Sequence, residues 1–394
     1  MISLKAFNNR KIGNGNLIPL VIGLYLILYA LDVYDIRLPF NPTTIRTYIY
    51  YIVFVIAIAQ LISKPRIDKV EIYLFLYAMI IVLGQYLNGL LTLSKAANDL
   101  YFPLILFVSR RHFAEGHIDR VRKAISIDCA YAILFFALFI YASFSMRLRY
   151  GMYLNSCYYC ALLLPFVLCI KKPTARNILV LVCLIPSILA LKRGAYLSVI
   201  VGVVFYYIAI RKTEDFKNNK KMYIRWAIAS AIGIIAVMLY MNQKYQIDMI
   251  SRLLAASDDG GSGRTDLIKG MIELLGKNNI LGALIGHGSF TSSQYLGSSS
   301  HNDFLEMLWS YGLLGFIPYI LIIISFCKNC KKLKDHRSYY YAPTLACIVE
   351  FLICSLVSQL VFVPTYVAFL LLFFALTESQ INQTNTNETG EALL

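Results

Sequence analysis

Charge is what this chain has least of: Asp, Glu, Lys and Arg make up 15% of its 394 residues, against 58% hydrophobic. Apolar runs near the roughly 20-residue length that crosses a bilayer recur along it, which excludes a soluble globular fold. Histidine is scarce too, five in all, so few groups can titrate near neutrality. No glycine-rich loop with a lysine is there to cradle nucleotide phosphates, and no GxSxG elbow to present a serine. ATP-driven and serine-hydrolase chemistry drop out. The first apolar segment follows Lys5, Arg10 and Lys11 as a signal sequence would, but it lacks a small-residue cleavage site and is expected to be retained.

What is there reads as an all-α, polytopic membrane protein, one integral domain over 1–394. About 12 transmembrane helices are expected near 17–33, 47–63, 70–92, 98–109, 124–144, 153–170, 177–191, 195–210, 223–241, 303–326, 339–360 and 363–376. Starting inside, the alternate short loops collect about two thirds of the 37 Lys and Arg, which puts both termini in the cytoplasm and one large polar loop, 242–302, outside. Those short inner loops also account for most of the net charge of +15, so nucleic acid is not an expected partner. Tyrosines near span ends (Tyr48, Tyr50, Tyr51; Tyr339, Tyr340, Tyr341) suit an interfacial aromatic belt. The polar tail from 377 is expected to lack structure.

The outer loop balances five basic residues (Lys244, Arg252, Arg264, Lys269, Lys277) against five acidic ones (Asp248, Asp258, Asp259, Asp266, Glu273), so an anion site there must be built from particular side chains. Leu267, Ile268, Met271, Ile272, Leu274 and Leu275 fall on one side of a helix from about 264 to 276, expected to lie on the membrane surface with its apolar face down. Arg264 then stands at a helix N-terminus, where backbone N–H groups favour an anion. A glycine-rich turn (Gly286, Gly288) follows, and SSSHND (298–303) leads into the next span.

The groups able to do chemistry outside are few. His112, His117 and His336 fall on the cytoplasmic side, leaving His287 and His301. His301 is the candidate general base; the competing reading of SSSHND is a helix start, with Ser300 capping and Asp303 closing a capping box. Arg193, in the short turn ALKRGAY, needs an anionic partner or a hydrated cavity, unless it only snorkels to the interface. Arg147 and Arg149, in SMRLRYG, carry the same ambiguity. With Arg252 and Arg264 these give several guanidinium groups on one side of the membrane, suited to bidentate phosphate binding. Glu350 lies in mid-span and requires a structural hydrogen bond or a cavity.

Metal catalysis finds no support: the loop has no carboxylate or histidine pair at ligand spacing, and DDGGSGRTD lacks the alternation and terminal glutamate of a calcium loop. The CxxC pairs Cys157/Cys160 and Cys327/Cys330 fall on opposite sides of the membrane and read as buried small hydrophobes and reduced thiols.

These residues, in this order, resemble the O-antigen polymerase and O-antigen ligase superfamily of bacterial membrane glycosyltransferases. Four pieces carry the resemblance: RYGMYLNSCYYCALLLPF (149–166), ALKRGAYLSVI (190–200), SGRTDLIKGMIELL (262–275), and GHGSF followed by SSSHNDFLEMLWSYGLLG (298–315). The resemblance implies a cofactor-free, metal-independent transferase of the bacterial cytoplasmic (inner) membrane, with a glycan on undecaprenyl diphosphate as donor at the outer face. Carried over, the turn arginine is Arg193, the loop arginine Arg264 and the histidine before asparagine His301. His301 and Arg264 are then the catalytic candidates, and Arg193, Arg149, Arg252, His287, Asn302 and Asp303 the substrate-binding ones. The turn departs from many relatives by reading Leu-Lys-Arg in place of Ser-Arg, losing a hydroxyl. The expected function is a repeat-unit polymerase acting between lipid-linked donor and acceptor, with a chain-length regulator and a flippase as protein partners. A ligase to lipid A-core is the nearest rival. A flippase is a more distant one, since no internal repeat is visible.

Overall fold

The computed structural model describes residues 17–34, 39–114, 118–145, 155–190, 192–211, 213–245 and 263–391. Seventeen helices and no strand occur among them: α1 (Leu17–Val33), α2 (Pro42–Ser63), α3 (Lys69–Leu87), α4 (Leu93–Asp99), α5 (Tyr101–Phe113), α6 (Ile118–Ser145), α7 (Cys157–Ala161), α8 (Leu164–Leu168), α9 (Pro173–Leu189), α10 (Arg193–Ile210), α11 (Glu214–Tyr245), α12 (Arg264–Gly276), α13 (Ile280–Ile285), α14 (Ser292–Leu296), α15 (Asp303–Asp335), α16 (Tyr341–Val357) and α17 (Pro364–Glu391). Five of these helices are long and apolar enough to cross a membrane, and several shorter apolar ones accompany them. The architecture is that of an all-helical membrane protein.

Local chemistry sets several boundaries. Asn41 accepts from the N–H groups of Thr43 (2.9 Å) and Thr44 (3.4 Å), with Pro42 in the first turn of α2. Asp68 and Glu71 close a capping box on α3. The segment expected as one span at 153–170 breaks into α7 and α8, the second with Pro165 in its first turn. Helix α11 runs to Tyr245, past the end expected of that span at 241.

Two packing features position the functional end. Gly194, Ser198 and Gly202 recur every fourth residue on α10 and are buried. Such small residues let helices approach closely in a membrane, and a side chain at Gly202 would contact Leu164 and Ala346, one at Gly194 Tyr158 and Val357. Helix α15 breaks at Gly312 (φ 58°, ψ −166°), and the turn Gly286-His287-Gly288 fills the gap. His287 N–H donates to the Trp309 carbonyl and Gly288 N–H to that of Ser310, each at 2.9 Å. A Cβ on Gly286 or Gly312 would overlap the backbone facing it, so both positions require glycine.

Three expectations are corrected. The tail does not lose structure at 377: α17 continues to Glu391, because Thr377 and Ser379 return their hydroxyls to the helix backbone and Glu378 pairs with Arg110 at 2.6 Å. Helix α12 has the bounds expected of it, but it packs on α14 and α15 with Met271 buried between, so part of its apolar face is turned to protein and Ile272 is left exposed. Glu350 is fully buried, yet neither carboxyl oxygen has a hydrogen-bond partner among the described residues, so of the two readings, a structural hydrogen bond or a cavity, the first is not met there.

The tyrosines divide between two roles. Tyr48 and Tyr339 are exposed near helix ends, while Tyr77, Tyr311 and Tyr319 are buried with Phe102 in one aromatic cluster. All nine cysteines are free thiols and every one but Cys327 is buried.

Candidate active site

The start of α10, the start of α12 and the turn before α15 meet. Lys192, the N-cap residue of α10, is held by its own N–H on the Ser187 carbonyl (3.1 Å), and Arg193 is the first residue of that helix. A Cβ at Gly194 would crowd the Tyr158 hydroxyl, which reaches the Ser358 hydroxyl at 3.4 Å. At the same end of α16, the Leu356 carbonyl accepts from the Asn302 side-chain amide at 3.3 Å. These contacts close a ring from α10 through α7 and α16 to the residue beside His301.

Asn302 is also the N-cap of α15, its side-chain oxygen accepting from Leu305 N–H at 3.1 Å. Ser300, expected as the cap, instead gives its hydroxyl and its N–H to the buried Glu306 carboxylate (3.0 and 3.3 Å). Asp303 closes no capping box; it is buried, and its Oδ2 accepts from the N–H groups of Leu360 and Val361 at 3.0 Å each. Asn302 and Asp303, two of the substrate-binding candidates, thus hold the frame of the site.

With the cap two residues later than expected, His301 is left outside the helix with φ 52°. A non-glycine residue in the left-handed region carries about 1–2 kcal/mol of strain, and strain of this kind collects where function over-determines the backbone. The ring is half-buried. Burial, then Arg264, then Lys192 hold its pKa below the ordinary histidine value. Arg264 is likewise held below the usual guanidinium range by burial, with Tyr158 opposing and Arg193 adding to the shift. Lys192 is lowered by burial, with Cys157 opposing and Arg264 adding. Arg264 and Lys192 therefore act on each other and on His301, and Arg193 acts on Arg264, which favours the neutral imidazole.

His287 is placed differently. Its ring stacks on Trp309 with centroids 4.1 Å apart and its Nε2 meets Asn278 Oδ1 at 2.9 Å, while burial lowers its pKa. It pins the glycine turn to α15. Arg147, Arg149 and Arg252 lie outside the described residues.

The sequence reading missed Lys192, Tyr158 and Glu306. Lys192 had been visible only as the residue standing where relatives carry a hydroxyl, and its charge in a very short turn was the available signal. Tyr158 sits among apolar residues, and Glu306 follows SSSHND by one helical turn; nothing local distinguishes either from packing. Among the described residues, no three His, Cys, Asp or Glu side chains gather to hold a metal.

Comparison with curated proteins gives no match for this chain. Residues 178–320, from α9 to the middle of α15 and so including Lys192, Arg193, Arg264, His287 and His301, match the family model described as O-antigen ligase, which supports the resemblance of this chain to the O-antigen ligase and polymerase superfamily.

Proposed function

We propose that the chain is a glycosyltransferase of the bacterial cytoplasmic membrane that polymerises lipid-linked oligosaccharide repeats at the outer face. The observation that supports this most is that Arg264 and Lys192 act on a half-buried base, His301, whose surroundings favour its neutral form, with Arg193 acting on Arg264. Arg193 and Arg264 hold the donor diphosphate and take up charge as the glycosidic bond breaks. His301 accepts the proton of the attacking sugar hydroxyl. Gathering the basic loops at one end and this cluster at the other fits both termini inside and the cluster outside.

The test uses purified protein in nanodiscs with a defined repeat unit on undecaprenyl diphosphate and no other acceptor. A polymerase converts it to dimers and longer chains, and His301→Ala lowers the rate by about 100- to 10,000-fold. The second reading, a ligase, is favoured by the description of the matching family. It would leave the repeat unextended in that assay until lipid A-core is supplied. A His301→Ala protein that extends chains at the normal rate would remove the assigned base under either reading.

A further inference from the structure

We propose that a polar cavity and an apolar groove, running on from each other along α2, α3 and α5, hold one anionic glycerophospholipid of the cytoplasmic leaflet. The site does not depend on the transferase reading. It lies at the far end of α3 from Asn88, whose side-chain amide meets the Gly286 carbonyl of the glycine turn at 3.2 Å.

The polar part is a cavity of about 440 Å³. Four stretches of chain wall it: Lys64 and Arg66 after α2, Asp68 and Glu71 at the start of α3, Arg110 and Arg111 at the end of α5, and Glu378 in α17. These four cations outnumber the three carboxylates by one. Arg110 is taken up by Asp68 and Glu378, and Arg111 by Glu71 and the Arg66 carbonyl, so both belong to a fixed wall. The Arg66 side chain is different. It is exposed at the rim and makes no ion pair or hydrogen bond among the described residues. A phosphodiester carries one negative charge, which matches the excess, and a guanidinium can hold its two outer oxygens together.

The apolar part begins where the cavity ends. Phe107 precedes Arg110 and Arg111 by three and four residues, Leu74 and Phe75 follow Glu71 by three and four, and Leu61 precedes Lys64 by three. Such spacings share one helix face, so each of the three helices carries the lining of the groove into that of the cavity. At the seam the Arg111 guanidinium lies over the Phe107 ring at 5.1 Å, and Phe107 meets Phe75 with ring centroids 5.5 Å apart.

Of the residues that line the groove, only Tyr50 has a polar side-chain atom. From Tyr50 to Leu61 the groove follows α2 for about 16 Å, the depth of one leaflet in a hydrocarbon core roughly 30 Å thick. An acyl chain fills that length; a water-soluble phosphate would leave it uncovered. The basic loops put this end in the cytoplasm, against the leaflet that carries the anionic lipids. Any bilayer lipid covers the groove equally well, so the headgroup decides which one stays.

The experiment titrates full-length protein in detergent with phosphatidylglycerol or with phosphatidylethanolamine of the same chains, and counts bound lipid by native mass spectrometry. One phosphatidylglycerol per chain is expected to be retained, about 5- to 10-fold more tightly than phosphatidylethanolamine, as one uncompensated charge near a surface allows. Arg66→Glu reverses the excess charge and should weaken phosphatidylglycerol by about 10- to 30-fold while changing the zwitterionic lipid little. Ala78→Phe, which fills the groove two turns from Glu71, should weaken both lipids alike. Glycerol 3-phosphate, which has the phosphate without the chains, should not displace the lipid when added in excess. The proposal is overturned if folded Arg66→Glu binds both lipids as wild type does, or if phosphatidylethanolamine is held as tightly as phosphatidylglycerol. It is overturned equally if glycerol 3-phosphate competes, or if folded Ala78→Phe keeps its lipid, since the groove then plays no part.

Discussion

Basic side chains gather at two ends of the molecule, one at the start of α3 and the end of α5 and one at the starts of α10 and α12, and the two use them in opposite ways. At one end Arg110 forks onto Asp68 (2.8 Å) and Glu378 (2.6 Å), and Arg111 makes two bonds of 2.6 Å to Glu71 while holding the carbonyl of Arg66 at 2.9 Å. Both of these guanidinium groups have a carboxylate of this chain, and the start of α3, the end of α5 and α17 are tied together. At the other end Arg264 and His301 feel Arg193 and Lys192, cation on cation. A paired arginine completes the fold. The shifts of Arg264, Lys192 and His301 come from burial first and from neighbouring charges after it, with no carboxylate among those charges.

Removing an arginine should therefore do different things at the two ends. The largest expected effect is on Arg111→Ala, which strands the buried Glu71: a loss of about 3–5 kcal/mol in stability, read by denaturant or thermal unfolding in detergent. Replacing the pair together, Arg111→Met with Glu71→Leu, should recover most of it. Next comes Arg264→Ala, where the loss belongs to transfer: a fall of about 100- to 1,000-fold in rate, with the melting temperature unchanged or slightly raised as repulsion is relieved. If Arg264→Ala destabilises as much as Arg111→Ala, the contrast between the ends collapses.

Local patterns were legible in the sequence, and distant pairings were not. Hydropathy pointed to an all-helical chain with long apolar helices, though the stretch expected as one span at 153–170 breaks in two, and the apolar spacing of Leu267, Ile268 and Met271 gave α12 its bounds, because both signals repeat within a few turns. The meeting of Arg193, Arg264 and His301 could be expected from the resemblance alone. Ser300 was the expected cap and Asn302 is the observed one, since both residue types serve and only the packing of Asp303 against 360–361 fixes the register. The pairing of Arg110 with Glu378 spans 268 residues and leaves no local trace. Nor does the GHG turn announce its partner, since the carbonyls it meets are freed by the break at Gly312.

That break gives the third prediction. Gly312→Ala puts a Cβ where φ is 58° and ψ −166°, facing the Leu284 carbonyl. About 1–3 kcal/mol of stability should be lost. The damage should reach the active-site end, because the turn holding His287 on Trp309 loses its seat. Faster hydrogen exchange at residues 284–290, with 64–71 unaffected, is the expected signature. Uniform loosening at both ends would argue against independent anchoring.

The smallest effect is the sharpest test of the comparison, because stability and activity should move apart at a single residue. His301 holds φ 52° with no glycine there to make it easy, so part of the strain belongs to the backbone and remains in His301→Ala. His301→Gly removes that strain, at the expense of a more flexible unfolded chain. It should therefore be the more stable variant of the two by up to about 1 kcal/mol, read as a shift in denaturant midpoint, while both lose glycan transfer equally. No substitution at Arg110 or Arg111 should behave this way, since neither residue is strained and each is satisfied within the fold. If His301→Gly is the less stable of the pair, the left-handed turn is a comfortable one, and the site-end strain that distinguishes it from the ion-paired end is not there.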